Sequence, residues 1–198
     1  MKLSGLMLIA ALAVAAQPAT APNLLRNGGF DRDTSGWRLS YGSGWTSDAD
    51  RGGGVAKVVN PGDIRSRGYE GLTALTTGIS QCVRVRADRE YSLLVRARVP
   101  MRQPVAGYAT AEILWFETKN CAIRSDGSGI IDHPASAKLV ELDGAWHDLA
   151  LSALAPPAHA AAVEVALLSA VTDFTHRGDF EVWFDDARLF DASRGRPR

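Results

Sequence analysis

The feature that most constrains the fold of this sequence is a two-residue alternation from Tyr91 to Val99. Every second residue of the run is apolar, and Arg96 and Arg98 fall between them. Successive side chains of an extended strand point to opposite faces, so the run predicts a half-buried strand. Because apolar residues at helical spacing are almost absent elsewhere, the chain is predicted to be all-β.

Seven further runs have a similar composition, and glycine, proline, aspartate or serine separate them. They are Val55 to Val59, Ile79 to Arg86, Ala109 to Phe116, Lys138 to Leu142, Trp146 to Ser152, Val163 to Leu168 and Phe180 to Phe190. About eight strands suit a two-sheet antiparallel jelly-roll sandwich. The glycine-rich stretches 42–44 and 52–54 are predicted turns. Residues 153–170 are rich in alanine, but Pro156 and Pro157 interrupt a helix there and favour a strand after the break.

The first 16 residues are predicted to be a secretory signal peptide. Lys2 precedes an apolar run from Leu6 to Ala16, which is shorter than the roughly 20 residues of a membrane helix. Cleavage after Ala16 is preferred, and cleavage as late as Ala21 stays open. We therefore expect an exported protein, periplasmic or extracellular, that does not insert into a membrane once the signal is removed.

Residues 23–191 are expected to form one jelly-roll domain, and 192–198 a flexible tail. Lysine plus arginine and aspartate plus glutamate both total 22, so the formal net charge is zero. Nucleic acid and anionic membranes attract a surplus of positive charge, so this balance disfavours both as partners. The oligomeric state stays open.

The chain contains two cysteines, Cys82 and Cys121. Two thiols can pair in the oxidising compartment to which an exported protein travels, so one disulfide is expected. Two unpaired, buried thiols remain the alternative, because the compartment alone does not bring two sulfur atoms together.

Three segments together resemble the carbohydrate-binding modules of the galactose-binding-like jelly-roll superfamily. They are Asn23 to Asp31 with its Asn27-Gly28-Gly29-Phe30 motif followed by Gly36-Trp37, Ile79 to Val85 leading into the Tyr91 strand, and Glu181 to Leu189 with its Asp185-Asp186 pair. The resemblance implies a sandwich whose opening and closing segments lie side by side, and a glycan as the partner. The stretch from Trp115 to Cys121 resembles members in which a cysteine after the aromatic strand bonds the cysteine that follows the glutamine. The resemblance thus implies a Cys82–Cys121 bridge.

The resemblance also implies a structural calcium ion beside the two ends of the domain. Asp31 and Asp185 or Asp186 would supply carboxylates, while backbone carbonyls and water would complete the six to eight oxygens that calcium requires. In the alternative interpretation, Asp31 caps a turn and the acidic pair faces solvent at the end of a strand.

A sugar site needs flat aromatic rings, because the C–H faces of a pyranose stack on them while polar groups fix its hydroxyls. Trp37, Trp146 and Trp183 are predicted to be framework residues. The candidates for ligand contact are Tyr41, Trp45, Tyr69, Arg96, Tyr108 and Glu112. Trp45 is the preferred platform, since a tryptophan between glycine-rich turns has little local core to enter.

Tyr108, Glu112 and Arg96 are predicted to share a concave outer face. This requires the inward set of their strand to be Ala109, Ala111, Ile113 and Trp115. In the opposite register, Trp115 would replace Glu112 on that face.

Four arginines alternate along two predicted strands, at positions 84, 86, 96 and 98. They are expected to form a solvated face, as charged residues on strand exteriors usually do. A basic stripe for an acidic polysaccharide is the functional alternative.

No motif in the sequence indicates catalysis, so no catalytic residue is predicted. The four histidines lack metal-ligand spacing, and no serine lies in a Gly-x-Ser-x-Gly motif. Asp185 and Asp186 would point to opposite faces of a regular strand, which makes them a poor acid–base couple. We therefore predict an exported, lectin-like glycan-binding module. An envelope protein–protein interaction domain and a jelly-roll polysaccharide lyase are the alternatives.

Overall fold

The structure is a computed structural model that describes residues 21–50, 52–61, 74–123, 128–173 and 175–195. These residues contain ten strands in chain order. They are β1 (Arg38–Leu39), β2 (Ser43–Asp48), β3 (Gly53–Pro61), β4 (Leu75–Arg84), β5 (Tyr91–Arg98), β6 (Gly107–Phe116), β7 (Ile130–Leu139), β8 (Trp146–Leu154), β9 (Ala162–Val171) and β10 (Asp179–Asp191). A short 3-10 helix at Ala192–Gly195 follows β10. The predicted signal peptide lies outside the described residues.

The ten strands form two five-stranded antiparallel sheets. Sheet A has the spatial order β1-β4-β9-β6-β7, and sheet B has the order β2-β3-β10-β5-β8. The predicted all-β jelly-roll sandwich is confirmed, with ten described strands in place of about eight. Among the described residues, no helix has the length and apolar character needed to cross a membrane.

One continuous hydrophobic core fills the space between the sheets. In β5, the alternation predicted from the sequence is observed, because Tyr91, Leu93, Val95 and Ala97 are buried in this core. Sheet A contributes Trp115 from β6, which is 0% exposed and packs against the Tyr91 ring at a centroid distance of 6.2 Å. The inward set predicted for β6 is therefore correct.

Two strands, β1 and β2, are missing from the prediction. The stretch 42–44 is predicted to be a turn, but only Gly42, with a φ of 79°, lies outside a strand. Strand β2 begins at Ser43 and pairs with β3. Likewise, Gly52 has a φ of 69° and lies in a turn, whereas Gly53 begins β3. Small residues disfavour strands on propensity, and pairing with β3 overrides that preference here.

The two ends of the domain lie side by side, as the resemblance implied. The Leu24 amide donates to the Leu189 carbonyl at 2.7 Å, and the Ala187 amide donates to the Gly28 carbonyl at 2.8 Å. A Cβ on Gly28 would lie 2.0 Å from the Ala187 carbonyl oxygen. The second residue of the Asn-Gly-Gly-Phe motif is therefore glycine because the closing strand passes directly over it.

Asn27 and Phe30 shape the opening loop through their backbone angles and side-chain contacts. Both have positive φ angles, of 51° and 48°, and Phe30 is fully buried against Trp37 at a ring distance of 5.3 Å. The Asn27 side chain donates to the Asp33 carboxylate at 2.9 Å. Hydrogen bonds from Ser35, its backbone amide first, hold the pKa of Asp33 below its ordinary value of 3.8.

Cys82 and Cys121 form a disulfide, with Cα atoms 5.9 Å apart. It links β4 to the turn that follows β6. A small apolar cluster of Phe116, Cys121 and Ala162 surrounds this link. The expected bridge is confirmed, and the alternative of two free thiols is wrong.

Candidate functional site

A groove of about 320 Å³ lies on the outer face of sheet A, over β1, β4 and β9. Its floor is made of small residues that share one face of neighbouring strands. Ser80 of β4 pairs with Ala166 of β9, and Gly78 pairs with Leu168 one row away. Small side chains in adjacent strands leave a depression between larger neighbours, so the groove follows from the pairing register.

Gly78 cannot be replaced by a larger residue without moving β9. A Cβ at this position would lie 2.0 Å from the Leu167 carbonyl oxygen and 2.8 Å from Leu168 Cδ2. The close approach of the two backbones thus fixes the depth of the floor.

Charged and hydroxyl side chains form the walls of the groove. Arg38 of β1 reaches Glu164 of β9 across β4, with 3.8 Å between Nη1 and Oε2. Ser40, Thr76 and Thr77 line the same depression. The groove therefore combines an apolar floor with hydrogen-bonding groups at its edge, which is the composition of a small-molecule or saccharide site.

A turn that carries Tyr41 forms one rim of the groove. Ser40 Oγ lies 2.5 Å from the Gly78 carbonyl oxygen and 2.7 Å from its amide nitrogen, and Ser43 Oγ donates to the same carbonyl at 3.2 Å. The Tyr41 carbonyl accepts a hydrogen bond from Thr77 Oγ1. The backbone of the turn is thus fastened to β4, while the Tyr41 ring is 85% exposed.

Tyr108 and Glu112 lie on the outer face of β6 in sheet A, as predicted. They are not among the residues that line the groove. The Lys138 ammonium is 4.8 Å from the centroid of the Tyr108 ring, so a cation–π contact covers that face. Glu112 Oε2 lies 3.2 Å from Nε2 of His133 on β7. Both candidates are therefore engaged with β7 side chains.

Arg96 does not share a surface with Tyr108 and Glu112, and that part of the prediction is wrong. Arg96 lies on β5 in sheet B, whereas Tyr108 and Glu112 lie in sheet A. Alternation along a strand fixes which residues share one face of that strand. It does not fix the sheet to which the strand belongs.

The tryptophan rings on the outer face of sheet B contact side chains of the same sheet. The Arg98 guanidinium lies 5.1 Å from the Trp183 ring centroid, and Arg96 lies 5.7 Å from that of Trp146. The framework assignment fits the ring of Trp183, whose indole N–H donates to Glu181 at 2.5 Å. These tryptophans are half-buried in the face, with guanidinium groups over the rings.

The four alternating arginines do not form one stripe. Arg84 belongs to sheet A, and Arg96 and Arg98 belong to sheet B, where carboxylates surround them. Arg96 lies 3.7 Å from Asp148 and 3.8 Å from Asp186, while Arg86 pairs with Asp88 at 2.8 Å. A continuous basic stripe through all four residues is therefore excluded.

Trp45 has local contacts, with the Phe30 carbonyl and with Gly54, that the sequence did not indicate. Its indole N–H donates to the Phe30 carbonyl at 2.8 Å, and its ring covers Gly54, where a Cβ would lie 2.0 Å from Nε1. The side chain shares the inner face of sheet B with Ala56 and stays 42% exposed at the edge. The premise that Trp45 has little local core to enter therefore holds only in part, and the role of Trp45 as a sugar platform stays a prediction. Tyr69, another predicted contact, lies outside the described residues.

The predicted calcium ligands occupy unequal environments. Asp31 is exposed, and Cβ atoms built on Gly29 and Gly53 would lie 3.5 and 3.8 Å from its carboxylate oxygens. Asp185 is only 4% exposed, so the alternative in which the acidic pair faces solvent is wrong for this residue. Asp186 has a φ of 50° in a β-bulge, so the pair does not lie on a regular strand.

These residues fit a hard cation only with substantial help from the backbone. Within the part of the chain that the structure describes, no group of three or more His, Cys, Asp or Glu side chains could hold a metal. Backbone carbonyls and water would therefore have to supply most of the six to eight oxygens that calcium requires. Calcium at the junction of the two ends therefore stays a prediction.

Two histidine–aspartate pairs lie outside the groove, one at the start of β8 and one in the loop between β9 and β10. His147 Nε2 lies 3.0 Å from Asp143, and this hydrogen bond is the main cause of the lowered pKa of Asp143. His176 Nδ1 lies 2.6 Å from Asp173, whose pKa is lowered first by the Thr175 hydroxyl and then by its amide and by His176. The partners are three and four residues apart, so these contacts are local loop contacts.

The groove residues carry little signal in the sequence. Arg38, Ser80, Glu164 and Ala166 come from three separate segments, and β1 is only two residues long. Their meeting depends on β4 lying between β1 and β9. To find this set from the sequence, one must know which strands pair and in what register. Alternation along a single strand does not give that information.

No protein-family model matches the sequence, and no curated protein matches it. Solved structures match along most of the chain. A family 61 carbohydrate-binding module, TmCBM61 in complex with β-1,4-galactotriose, is 14% identical with a TM-score of 0.53, over 86% of this chain and 99% of that chain. A xylan-binding domain of family 22 is also 14% identical, with a TM-score of 0.55 over 88% and 97%.

A third match is the C-terminal family 22 carbohydrate-binding module of Clostridium thermocellum Xyn10B. It is 15% identical with a TM-score of 0.53, over 83% of this chain and 92% of that chain. At such identities the match establishes the fold. The chain therefore has the β-sandwich fold that these carbohydrate-binding modules share.

Proposed function

We propose that the protein is an exported, non-catalytic module that binds an oligo- or polysaccharide in the groove on sheet A. The observation that carries this proposal is the groove itself, a depression with a small-residue floor whose lining includes Ser40, the neighbour in sequence of the exposed Tyr41. The outer face of sheet B offers no comparable open aromatic surface among the described residues, since arginines lie over Trp146 and Trp183.

In this proposal, Tyr41 stacks on the C–H face of a pyranose at the rim. Arg38 donates hydrogen bonds to sugar hydroxyls and Glu164 accepts them, because at 3.8 Å the two groups are too far apart to hydrogen-bond each other. The hydrogen bonds of Ser40 to Gly78 hold the rim turn in place before binding. A pre-organised rim reduces the entropy lost on binding.

The comparisons support a glycan as the partner class. One similar structure contains β-1,4-galactotriose and another is a xylan-binding domain, and both match this chain along nearly their whole lengths. The disulfide supports export, since disulfides persist in oxidising compartments. Calcium beside Asp31 and Asp185 is proposed as a structural ion that takes no part in sugar contact.

Calorimetric titration with soluble galactan, xylan and polygalacturonate tests the proposal. Ala166→Leu fills the groove floor from an already buried position and is expected to reduce binding of any ligand of this set at least about tenfold. Ala150→Leu is the matched control, because Ala150 is exposed on β8 of sheet B. Tyr41→Ala removes the rim ring and is expected to weaken binding as well.

The outcomes distinguish an error in the assigned binding site from an error in the proposed function. If a glycan binds and Ala166→Leu has no more effect than Ala150→Leu, the groove is not the site. If the protein binds no glycan of a broad panel, the glycan proposal is abandoned, and an envelope protein partner becomes the next hypothesis to test by affinity capture.

A further inference from the structure

A second concavity, of about 690 Å³, opens at the end of β4 beside the disulfide. Three cationic side chains line it, Arg26 from the opening segment, Arg84 from β4 and Lys119 from the turn after β6. No carboxylate is among its described lining residues. We call this concavity the basic cavity.

This grouping of charge is unusual for this protein, whose formal net charge is zero. Several other cations of the described chain are paired, such as Lys57 with Glu181 at 2.9 Å and Arg86 with Asp88 at 2.8 Å. Within the described residues, Arg26, Arg84 and Lys119 have no carboxylate within 4.0 Å. Three unpaired cations around one cavity create a positive potential there.

Two adjacent residues of β4 assemble the basic cavity. The Gln81 side chain accepts from the Arg26 amide at 2.7 Å and donates to the Arg26 carbonyl at 3.0 Å, which fixes the Arg26 backbone against the strand. Cys82 holds the turn of Lys119 through its disulfide to Cys121. Arg84 follows two residues later on the same strand.

The turn that carries Lys119 is itself ordered by hydrogen bonds. The Cys121 amide donates to the Thr118 carbonyl at 3.3 Å, and the Ala122 amide donates to Thr118 Oγ1 at 3.0 Å. Lys119 and Asn120 are the exposed residues at its tip. Arg26 and Lys119 are therefore both carried by backbone that is held in place, which is the arrangement expected of a binding site.

The basic cavity continues the groove along β4. Residues 76–80 of this strand line the groove, and residues 81–84 line the basic cavity. Ser80, Cys82 and Arg84 share the outward face because side chains alternate along a strand. From Gly78 to Arg84 the strand spans about 20 Å at about 3.3 Å per residue, which is the length of a short oligosaccharide.

We propose that the basic cavity binds an anionic substituent of the glycan, a carboxylate or a sulfate ester, so that the ligand is an acidic polysaccharide. The guanidinium groups of Arg26 and Arg84 offer paired N–H donors that match the oxygens of either anion. Lys119 adds a point charge from the opposite wall. This inference deepens the proposed function and rests on glycan binding along β4.

Titration of the purified protein with polygalacturonate, dextran sulfate and neutral galactan tests the inference. Polygalacturonate carries carboxylates and dextran sulfate carries sulfate esters, so the two arms identify the anion. Arg84→Gln and Lys119→Gln are each expected to weaken binding of the preferred polyanion about tenfold, and to leave binding of galactan unchanged. Arg188→Gln on β10 is the matched control, since it removes one exposed positive charge from sheet B.

The inference is overturned if Arg188→Gln weakens polyanion binding as much as Arg84→Gln does, because the attraction is then unspecific. It is also overturned if the protein binds galactan as tightly as both polyanions. In that second case Ala166→Leu still reports on the groove, so the glycan-binding proposal survives on its own. Absence of binding to both polyanions overturns the inference, whereas the glycan-binding proposal falls only if xylan and the rest of the broad panel also fail to bind.

Discussion

The side-chain amide of Gln81 bonds both backbone polar groups of Arg26, 55 residues away in sequence. Gln81 is only 7% exposed, so neither bond competes freely with water. The Arg26 carbonyl also accepts from the Trp37 indole at 3.1 Å. The opening segment is thus attached to sheet A at one point and to β10 of sheet B at another.

Replacing Gln81 by methionine is expected to destabilise the fold by about 1–3 kcal/mol, since it removes two hydrogen bonds at a site shielded from water. The change keeps the length of the side chain, so lost packing contributes little. Guanidinium unfolding measures the difference, with Asn120→Ala at the exposed turn as the control. Equal unfolding midpoints for the wild-type protein and Gln81→Met would show that the Arg26 bonds contribute no net stability.

The disulfide between Cys82 and Cys121 is expected to contribute about 4 kcal/mol to the stability. It closes a loop with a sequence separation of 39 residues, and the chain-entropy relation gives that magnitude for such a loop. Unfolding curves of the oxidised protein with and without a thiol reductant measure this term. A Cys82→Ala/Cys121→Ala variant that unfolds at the same denaturant concentration as the oxidised protein would contradict it.

Trp45→Ala is expected to lower stability by about 1–3 kcal/mol and to leave glycan binding intact. The loss lies below the roughly 3–5 kcal/mol of a fully buried aromatic residue, because the ring covers Gly54 but is partly exposed. Tyr41→Ala is expected to show the reverse pattern, with weaker binding and an unchanged melting temperature. Should Trp45→Ala abolish binding in a fully folded protein, Trp45 is the platform and the rim assignment fails.

Calcium is expected to raise the melting temperature, and a chelator to lower it, because an ion that binds only the folded state stabilises that state. Asp185→Asn is expected to remove the calcium-dependent part of the shift, whatever it does to the stability of the calcium-free protein. Asp132→Asn, an exposed residue on β7, serves as the control. A melting temperature that responds to neither calcium nor chelator in the wild-type protein rules out the structural ion.

The faces of single strands were predictable from the sequence, and their positions in the sheets were not. Alternation placed Ala109, Ala111, Ile113 and Trp115 in the core correctly, since burial follows a two-residue period within one strand. It could not show that Arg96 and Glu112 belong to different sheets, because that depends on long-range pairing. The groove escaped prediction for the same reason, as it forms where β1, β4 and β9 become neighbours.

The stability contribution of Asp33 is expected to depend on pH in a defined direction. Its folded-state pKa lies below the ordinary 3.8 because the ionised carboxylate accepts hydrogen bonds from Ser35 and Asn27. A depressed pKa means that the contribution is fully present above the unfolded-state value and is lost as the pH falls through the folded-state value. Asp33→Asn should therefore lower the melting temperature near pH 7 and lose its effect at strongly acidic pH. Thermal unfolding of both proteins at constant ionic strength measures this, and a gap between the two curves that stays constant across the acidic range would show that the charge of Asp33 does not matter.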